Sequence, residues 1–146
     1  MTKIYTDGSC IGNPGKGGWA AIILDNKKQK IISGSEPYTT NNRMELIAVI
    51  KALKNVKKKE ITLITDSQYV KNGIEVWIFK WKKNGWMTAE KKPVKNKDLW
   101  LMLEKLSKSK KVKWEWVKGH SLDKLNNKVD EIARNEANNI SYNEEV

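Results

Sequence analysis

The chain has 146 residues and a formal net charge of +11, with 28 Lys and Arg against 17 Asp and Glu, one cysteine and one histidine. This length is most simply one domain; no apolar run approaches the ~20 residues of a membrane span, and no signal-peptide pattern opens the chain. Cys10 alone can form no internal disulfide, so a reducing cytoplasm is the default compartment, and Cys10 with His120 cannot furnish a Cys/His zinc site, so any metal must be a hard cation held by oxygen.

In chain order, residues 2–7 read as a strand that runs apolar, Thr, Asp. "GSCIGNPGKGG" (8–18) is a turn-rich connection. "WAAIILD" (19–25) and "KIISGS" (30–35) are a second and third strand, with "DNKK" as the hairpin turn between them. "EPYTTNN" (36–42) is a loop. Residues 43–55 form a helix that is apolar on nearly every side and therefore buried. Residues 61–66 form a fourth strand, which also runs through Thr into Asp. Helices follow over 68–80 and 97–107. "KVKWEWV" (111–117) alternates Val112, Trp114 and Trp116 with Lys113 and Glu115, the pattern of a half-buried fifth strand. A last helix spans 126–139, with a frayed tail over 140–146.

Three closely spaced strands followed by strands separated by helices predict an α/β fold with a mixed sheet, an antiparallel meander joined to parallel crossovers. Ligands of such sheets gather at the carboxyl ends of the parallel strands. Asp7 and Asp66 would both stand there, facing one another if strands 1 and 4 are neighbours.

Each acidic residue also has an ordinary explanation. Asp66 could cap the helix that follows, and Asp7 could serve the glycine-rich turn after it. Glu45, three residues after Asn42, resembles half of a capping box, and Asp130 could simply be solvated. Together they are harder to dismiss. Glu45 opens an otherwise apolar helix, and Asp130 lies beside Ala133 and Ala137, which leave room above the sheet. Four converging carboxylates repel and raise one another's pKa values, a conflict that divalent cations resolve. Mg²⁺ favours carboxylates, water and phosphate oxygens; two such ions ~4 Å apart suit phosphodiester hydrolysis.

Rival chemistries fare worse. "GNPGKGG" lacks the first glycine of a phosphate loop (Cys10 stands there) and has no Ser or Thr after Lys16. "GKGGWA" fits a loose dinucleotide pattern but precedes a strand, not a helix. A serine triad built on His120 with Ser67 or Ser121 lacks the glycines of a nucleophile elbow. The positive charge points to a polyanion, most often nucleic acid, although only Arg43 and Arg134 are arginines and a lysine-rich composition can follow from the genome's base content.

The blocks "YTDGSCIGNPG", "TTNNRMEL", "TDSQYV", "WKKNGWMTAEKKPVKNKDLW", "VKGH" and "NNKVDEIA" occur in the order found in type 1 ribonuclease H, and the sequence resembles the bacterial form with a basic protrusion over most of residues 3–137. The resemblance implies a five-stranded mixed sheet in the order 3-2-1-4-5 with helices on both faces. It also implies one domain over 1–146, with the protrusion at 75–97. The implied activity is an endonuclease that cuts the RNA strand of RNA–DNA hybrids, leaving 3′-hydroxyl and 5′-phosphate ends, as a cytoplasmic monomer using Mg²⁺, two ions with substrate bound, or Mn²⁺.

By motif, Asp7, Glu45, Asp66 and Asp130 resemble the family's metal-binding carboxylates, and His120 the residue that shuttles a proton or assists product release. The Cys10–Asn13 turn (Cys10 and Asn13), Asn41, Glu45 and Gln68 resemble contacts to RNA riboses, whose 2′-hydroxyls distinguish RNA from DNA. Thr40, Arg43 and Asn96 resemble a pocket for a DNA phosphate. In the protrusion, Trp77 and Trp86 are expected to pack, while Trp81, Lys82, Lys83, Lys91 and Lys92 meet the DNA strand. The segment after His120 departs from the family pattern: no glycine follows it, and Asn127 stands where an acidic residue is common. The spacing from His120 to Asp130 is intact. Two other readings remain: a non-catalytic RNA- or hybrid-binding module, and another nuclease of the same superfamily.

Overall fold

The computed structural model describes residues 2–26, 28–118 and 123–144, with side chains described up to residue 139. Five strands form one mixed sheet: β1 (Thr2–Ile11), β2 (Gly15–Asp25), β3 (Lys28–Thr39), β4 (Glu60–Thr65) and β5 (Lys111–Trp116). Their order is β3-β2-β1-β4-β5, as the resemblance implies. β2 pairs antiparallel with β1 and β3, whereas β4 is parallel to β1 and β5. β2 is buried along both faces through "GGWAAII" because it lies inside the sheet and helices cover it on each side.

The meander is longer than the sequence predicts. "GSCIGNPGKGG" reads as a loop because five of its residues are glycine, yet β1 and β2 pair through it up to Ile11↔Lys16, leaving only residues 12–14 as the turn. A cis peptide joins Asn13 to Pro14. β3 likewise continues to Thr39. The β2–β3 hairpin closes at Asp25↔Lys28, where Asn26 takes φ 58°, a conformation asparagine tolerates.

α1 (Asn41–Lys54) starts at Thr40, whose Oγ1 accepts from Arg43 N at 3.2 Å. Thr40, and not Asn42, is the cap, so Glu45 takes no part in a capping box. α1 packs on the face of β1 and β2 with Leu46, Val49, Ile50 and Leu53 fully or nearly buried. α2 (Gln68–Asn72), a π-helical turn (Gly73–Trp77) and α3 (Ile78–Lys83) run on from one another. α4 (Lys97–Lys108) lies against α1 and closes the core with Trp100 and Leu103. α5 (Lys124–Glu144) covers the opposite face, over Tyr5, Ala20, Ile22 and Ile64. It is longer at both ends than the expected 126–139 and is still helical in the stretch expected to be frayed.

Two glycines set how closely the helices approach. A Cβ on Gly8 would lie 2.4 Å from Glu45 N, so only glycine lets the start of α1 rest on β1. A Cβ on Gly18 would lie 2.2 Å from Ala133 O, so α5 rests on β2 in the same way.

Candidate active site

β1 and β4 pair from Thr2↔Ile61 to Tyr5↔Ile64. Two more rows along the same register, Asp7 is level with Asp66. Glu45 arrives from α1 because Gly8 admits that helix. Asp7, Glu45 and Asp66 bring carboxylate oxygens within 4.8 Å of one another. Asp7 and Glu45 are buried, 3% and 7% exposed, and Asp66 is half-buried. Asp130 approaches from α5 to hydrogen-bonding reach of the Asp7 side chain, and its nearness helps to raise Asp7. Its Oδ2 is also 3.2 Å from Arg134 Nη2. The structure thus brings together all four acidic residues singled out in the sequence, three as a tight cluster and Asp130 at its rim.

The ordinary explanations for these acids do not hold. Ser67, not Asp66, caps α2: its Oγ accepts from Val70 N at 3.1 Å. Asp7 is not part of the glycine turn, because β1 continues to Ile11.

Burial and the neighbouring charges raise the affinity of the cluster for protons. Burial first, then Glu45, pushes Asp7 far above the usual carboxylate range. Glu45 is raised by burial and then by Asp66, and Asp66 by burial and then by Asp130. Glu45 Oε2 is buried without a hydrogen-bond partner. Such a donor set, all oxygen and over-supplied with negative charge, fits a hard divalent cation.

His120 falls outside the described residues. Asn126, by contrast, was not foreseen: its side chain hydrogen-bonds Asp66. It precedes Asp130 by four residues, the spacing that puts two side chains on one helix face, and that was the available signal. Arg134, four residues beyond Asp130, follows by the same rule.

The expected substrate contacts stand at the end of β1, in the turn after it and at the starts of α1, α2 and α4. Asn13 Oδ1 accepts from Asn41 N at 3.1 Å, joining the β1–β2 turn to the start of α1. Cys10 Sγ lies 3.5 Å from Thr39 O, and Gln68 is exposed at the start of α2. Arg43 donates to Asn96 Oδ1 at 3.2 Å, but both arms of its fork also meet Asp98, at 3.1 and 2.9 Å. Asp98 is a partner that motif reading did not include. Asn96, at φ 60°, donates in turn to Tyr69 Oη at 3.0 Å.

In the protrusion, Trp81 is the hub of an aromatic cluster, with ring centroids 5.9 Å from Trp77, 5.9 Å from Trp86 and 5.4 Å from Trp100. It is half-buried, so packing is its first role. Lys83, Lys91 and Lys92 are exposed, whereas Lys82 holds Glu104 at 2.6 Å.

Comparison with known proteins agrees with this geometry. The RNase H family model matches residues 1–138. A ribonuclease H of Francisella philomiragia is 58% identical over 130 residues, covering 88% of this chain and 86% of its own. One from a Bradyrhizobium species is 53% identical over 135 residues, covering 92% and 88%. Among solved structures, LC9-RNase H1, described as a type 1 RNase H with the type 2 active-site motif, is 28% identical with a TM-score of 0.84, over 94% of this chain and 72% of that one. With a family match over nearly its whole length and the acidic cluster at the ends of β1 and β4, the chain belongs to the RNase H family.

Proposed function

We propose that the protein hydrolyses the RNA strand of RNA–DNA hybrids, leaving 3′-hydroxyl and 5′-phosphate ends. The convergence of Asp7, Glu45 and Asp66 within 4.8 Å carries this reading, together with relatives named ribonuclease H at 53% and 58% identity. The family is metal-dependent. Mg²⁺, two ions with substrate bound, is the cofactor the oxygen donor set favours, with Mn²⁺ as a substitute. Bound there, such ions would supply Lewis acidity toward the phosphodiester and the attacking water.

The chain's own residues do the rest. Asp7 and Glu45 form the buried floor of the site, Asp66 and Asp130 its rim, and Asn126 orients Asp66. His120 carries a proton or assists product release. Cys10, Asn13, Asn41, Glu45 and Gln68 read the 2′-hydroxyls of the RNA strand, and Thr40, Arg43 and Asn96 hold a phosphate of the DNA strand. The protrusion (75–97), through Lys83, Lys91, Lys92 and the free part of Lys82 and Trp81, extends the grip on DNA. We read the protein as one RNase H domain, a monomer of the cytoplasm. No helix of the described residues is long and apolar enough to cross a membrane.

Incubation with labelled RNA–DNA, RNA–RNA and DNA–DNA duplexes, in Mg²⁺ and in EDTA, tests the proposal. Cleavage of the RNA strand of the hybrid alone, and only with metal, is expected. Cleavage of duplex DNA, or none of the hybrid, overturns it.

A further inference from the structure

The positive charge does not end at the protrusion. Two hollows, of about 430 and 360 Å³, adjoin at the start of β5 and share Glu60 and Lys111. Glu60 is the one carboxylate among the residues lining them, against Lys59, Lys108, Lys110, Lys111 and Lys113. Lys110 is structural, since its Nζ donates to Val56 O and Lys58 O, and Lys108 shares Glu104 with Lys82. Lys59, Lys111 and Lys113 are exposed and, among the described residues, form no ion pair.

Lys111 and Lys113 project on the side of the sheet opposite Val112, and α5, which lies over β1 to β3, leaves them open. On the Val112 side of the same edge strand, Trp114 and Trp116 are stacked, 5.4 Å apart and 10° from parallel, and only half-buried. Trp114 borders a third hollow with Lys82 and Lys108, which leads back to the protrusion. Lys59 and Lys111 stand at the Glu60 end of β4, six residue steps or roughly 20 Å from Asp66 and clear of the carboxylates, and β5 runs back from there to Trp116, level with Thr65.

We propose that the free edge of β5 is a track for single-stranded nucleic acid, with Lys59, Lys111 and Lys113 along the backbone and the Trp114/Trp116 pair beside the bases. Lysines on one face of the edge strand and half-buried indoles on the other suit an unpaired strand, whose bases are free to turn away from its backbone and stack. A duplex would satisfy only the lysines, and so would an acidic peptide. Lysines also guard exposed sheet edges against self-association, which is the competing explanation. The strand captured would be one flanking the hybrid. That part rests on the ribonuclease H reading, while strand binding itself does not.

The test pairs wild type with Lys59→Gln/Lys111→Gln/Lys113→Gln, neutral changes at exposed sites, after a thermal melt shows both folded. A 20-nucleotide oligothymidylate is titrated in EDTA by tryptophan fluorescence over a range of salt. Hybrid cleavage is measured with and without a single-stranded DNA tail. We expect the triple variant to bind oligothymidylate at least five-fold more weakly, with a salt slope shallower by about 2 for three lost contacts. It should lose the KM advantage given by the tail and keep blunt-hybrid kcat/KM within two-fold. Oligothymidylate should still bind Asp7→Asn protein saturated with blunt hybrid. The proposal is overturned by unchanged oligothymidylate binding, by an equal loss on blunt hybrid, by displacement of the strand by polyglutamate at equal charge, or by self-association as the variant's sole defect. Failure of the enzyme to cut any hybrid would leave the oligothymidylate arm intact and count against the function alone.

Discussion

Tyr5 and Asp123, 118 positions apart, are joined by a hydrogen bond of 3.0 Å from the phenol to Asp123 Oδ2. The other oxygen of Asp123 accepts from Leu125 N and Asn126 N at 3.0 and 3.4 Å, so one carboxylate caps α5 and ties it to β1. Tyr5 lies two residues before Asp7 on the same face of β1, and Asn126 and Asp130 follow on α5. The link therefore fixes how α5 presents both residues to the cluster. Tyr5→Phe is expected to destabilise the protein by about 1.5–3 kcal/mol, the worth of one hydrogen bond to a charged group. Burial and then Asp123 push the Tyr5 phenol up to about 12. A pKa raised on folding gives stability that is complete below the unfolded value near 10 and lost as pH rises through 12. The stability difference between wild type and Tyr5→Phe, from urea melts, should be constant up to about pH 10 and close above it. A difference that is unchanged at pH 12 would mean the phenol is not the linking group.

The acidic cluster reverses the usual pH dependence. Without a cation, burial raises Asp7, Glu45 and Asp66, each further lifted by its neighbours. Stability from these groups is full below the unfolded carboxylate value near 4 and is lost as pH climbs toward their folded values. In EDTA, the melting temperature should fall between pH 5 and pH 8. Asp7→Asn should abolish cleavage, flatten that fall and raise the pH 8 melting temperature by roughly 3–8 °C, corresponding to relief of ~1–3 kcal/mol. Mg²⁺ should stabilise wild type at pH 8 and do little for the variant. A wild-type melt flat in pH, or an active Asp7→Asn, would refute the site.

The carboxylates were legible because chemistry and fold point the same way. A strand that ends in Thr-Asp twice, and a glutamate opening an apolar helix, leave few other arrangements. The meander was less legible: the glycines of "GSCIGNPGKGG" and the proline of "EPYT" mimic a loop, but pairing with a neighbouring strand overrides local propensity. What tertiary contact alone decides was invisible. Nothing local to Asp98 announces that it will close on Arg43, and nothing local to Trp81 says that three tryptophans will converge on it. Asp123 shows the same limit, since its tyrosine partner lies at the other end of the chain.

Asp98 makes the phosphate pocket testable. Its two oxygens occupy both arms of Arg43, and their hydrogen bonds hold Asp98 below the usual carboxylate range while raising Arg43. A DNA phosphate held at Arg43, as proposed, would share the guanidinium with this carboxylate. The pair is part-exposed, with Asp98 the more open, so its loss costs at most ~1 kcal/mol of stability. Asp98→Asn is expected to lower KM for hybrid two- to three-fold at low salt and steepen the salt dependence by up to one phosphate contact, with kcat unchanged. A higher KM would assign Asp98 the opposite task, orienting Arg43.

The protrusion lysines should act on binding. Lys82 is set apart because it already neutralises Glu104, whose carboxyl is raised by burial but brought below its ordinary range by Lys82 and Lys108. Reversing Lys83, Lys91 and Lys92 to Glu should raise KM and flatten its salt dependence without lowering kcat. Steady-state kinetics at several salt concentrations decide it, and a fall in kcat alone would remove these lysines from the substrate path.

His120 lies outside the described residues, and its role is tested by kinetics. Cations held by the four carboxylates, as proposed, would leave the reaction a route without imidazole, so His120→Ala should slow cleavage but not stop it. A positioned proton carrier typically contributes ~10²–10⁴-fold, or roughly 3–5 kcal/mol of barrier. We expect the lower end of that range, because the chain lacks a glycine after His120 that would let the imidazole adjust to its target. KM and metal dependence should be nearly unchanged. The acid limb of the rate near pH 6–7 should weaken, since histidine is the side chain whose ordinary titration falls there and this chain has one. Single-turnover pH–rate profiles of wild type and His120→Ala distinguish the outcomes. Complete loss of cleavage would make the imidazole obligatory, and an unchanged rate and profile would remove it from the mechanism.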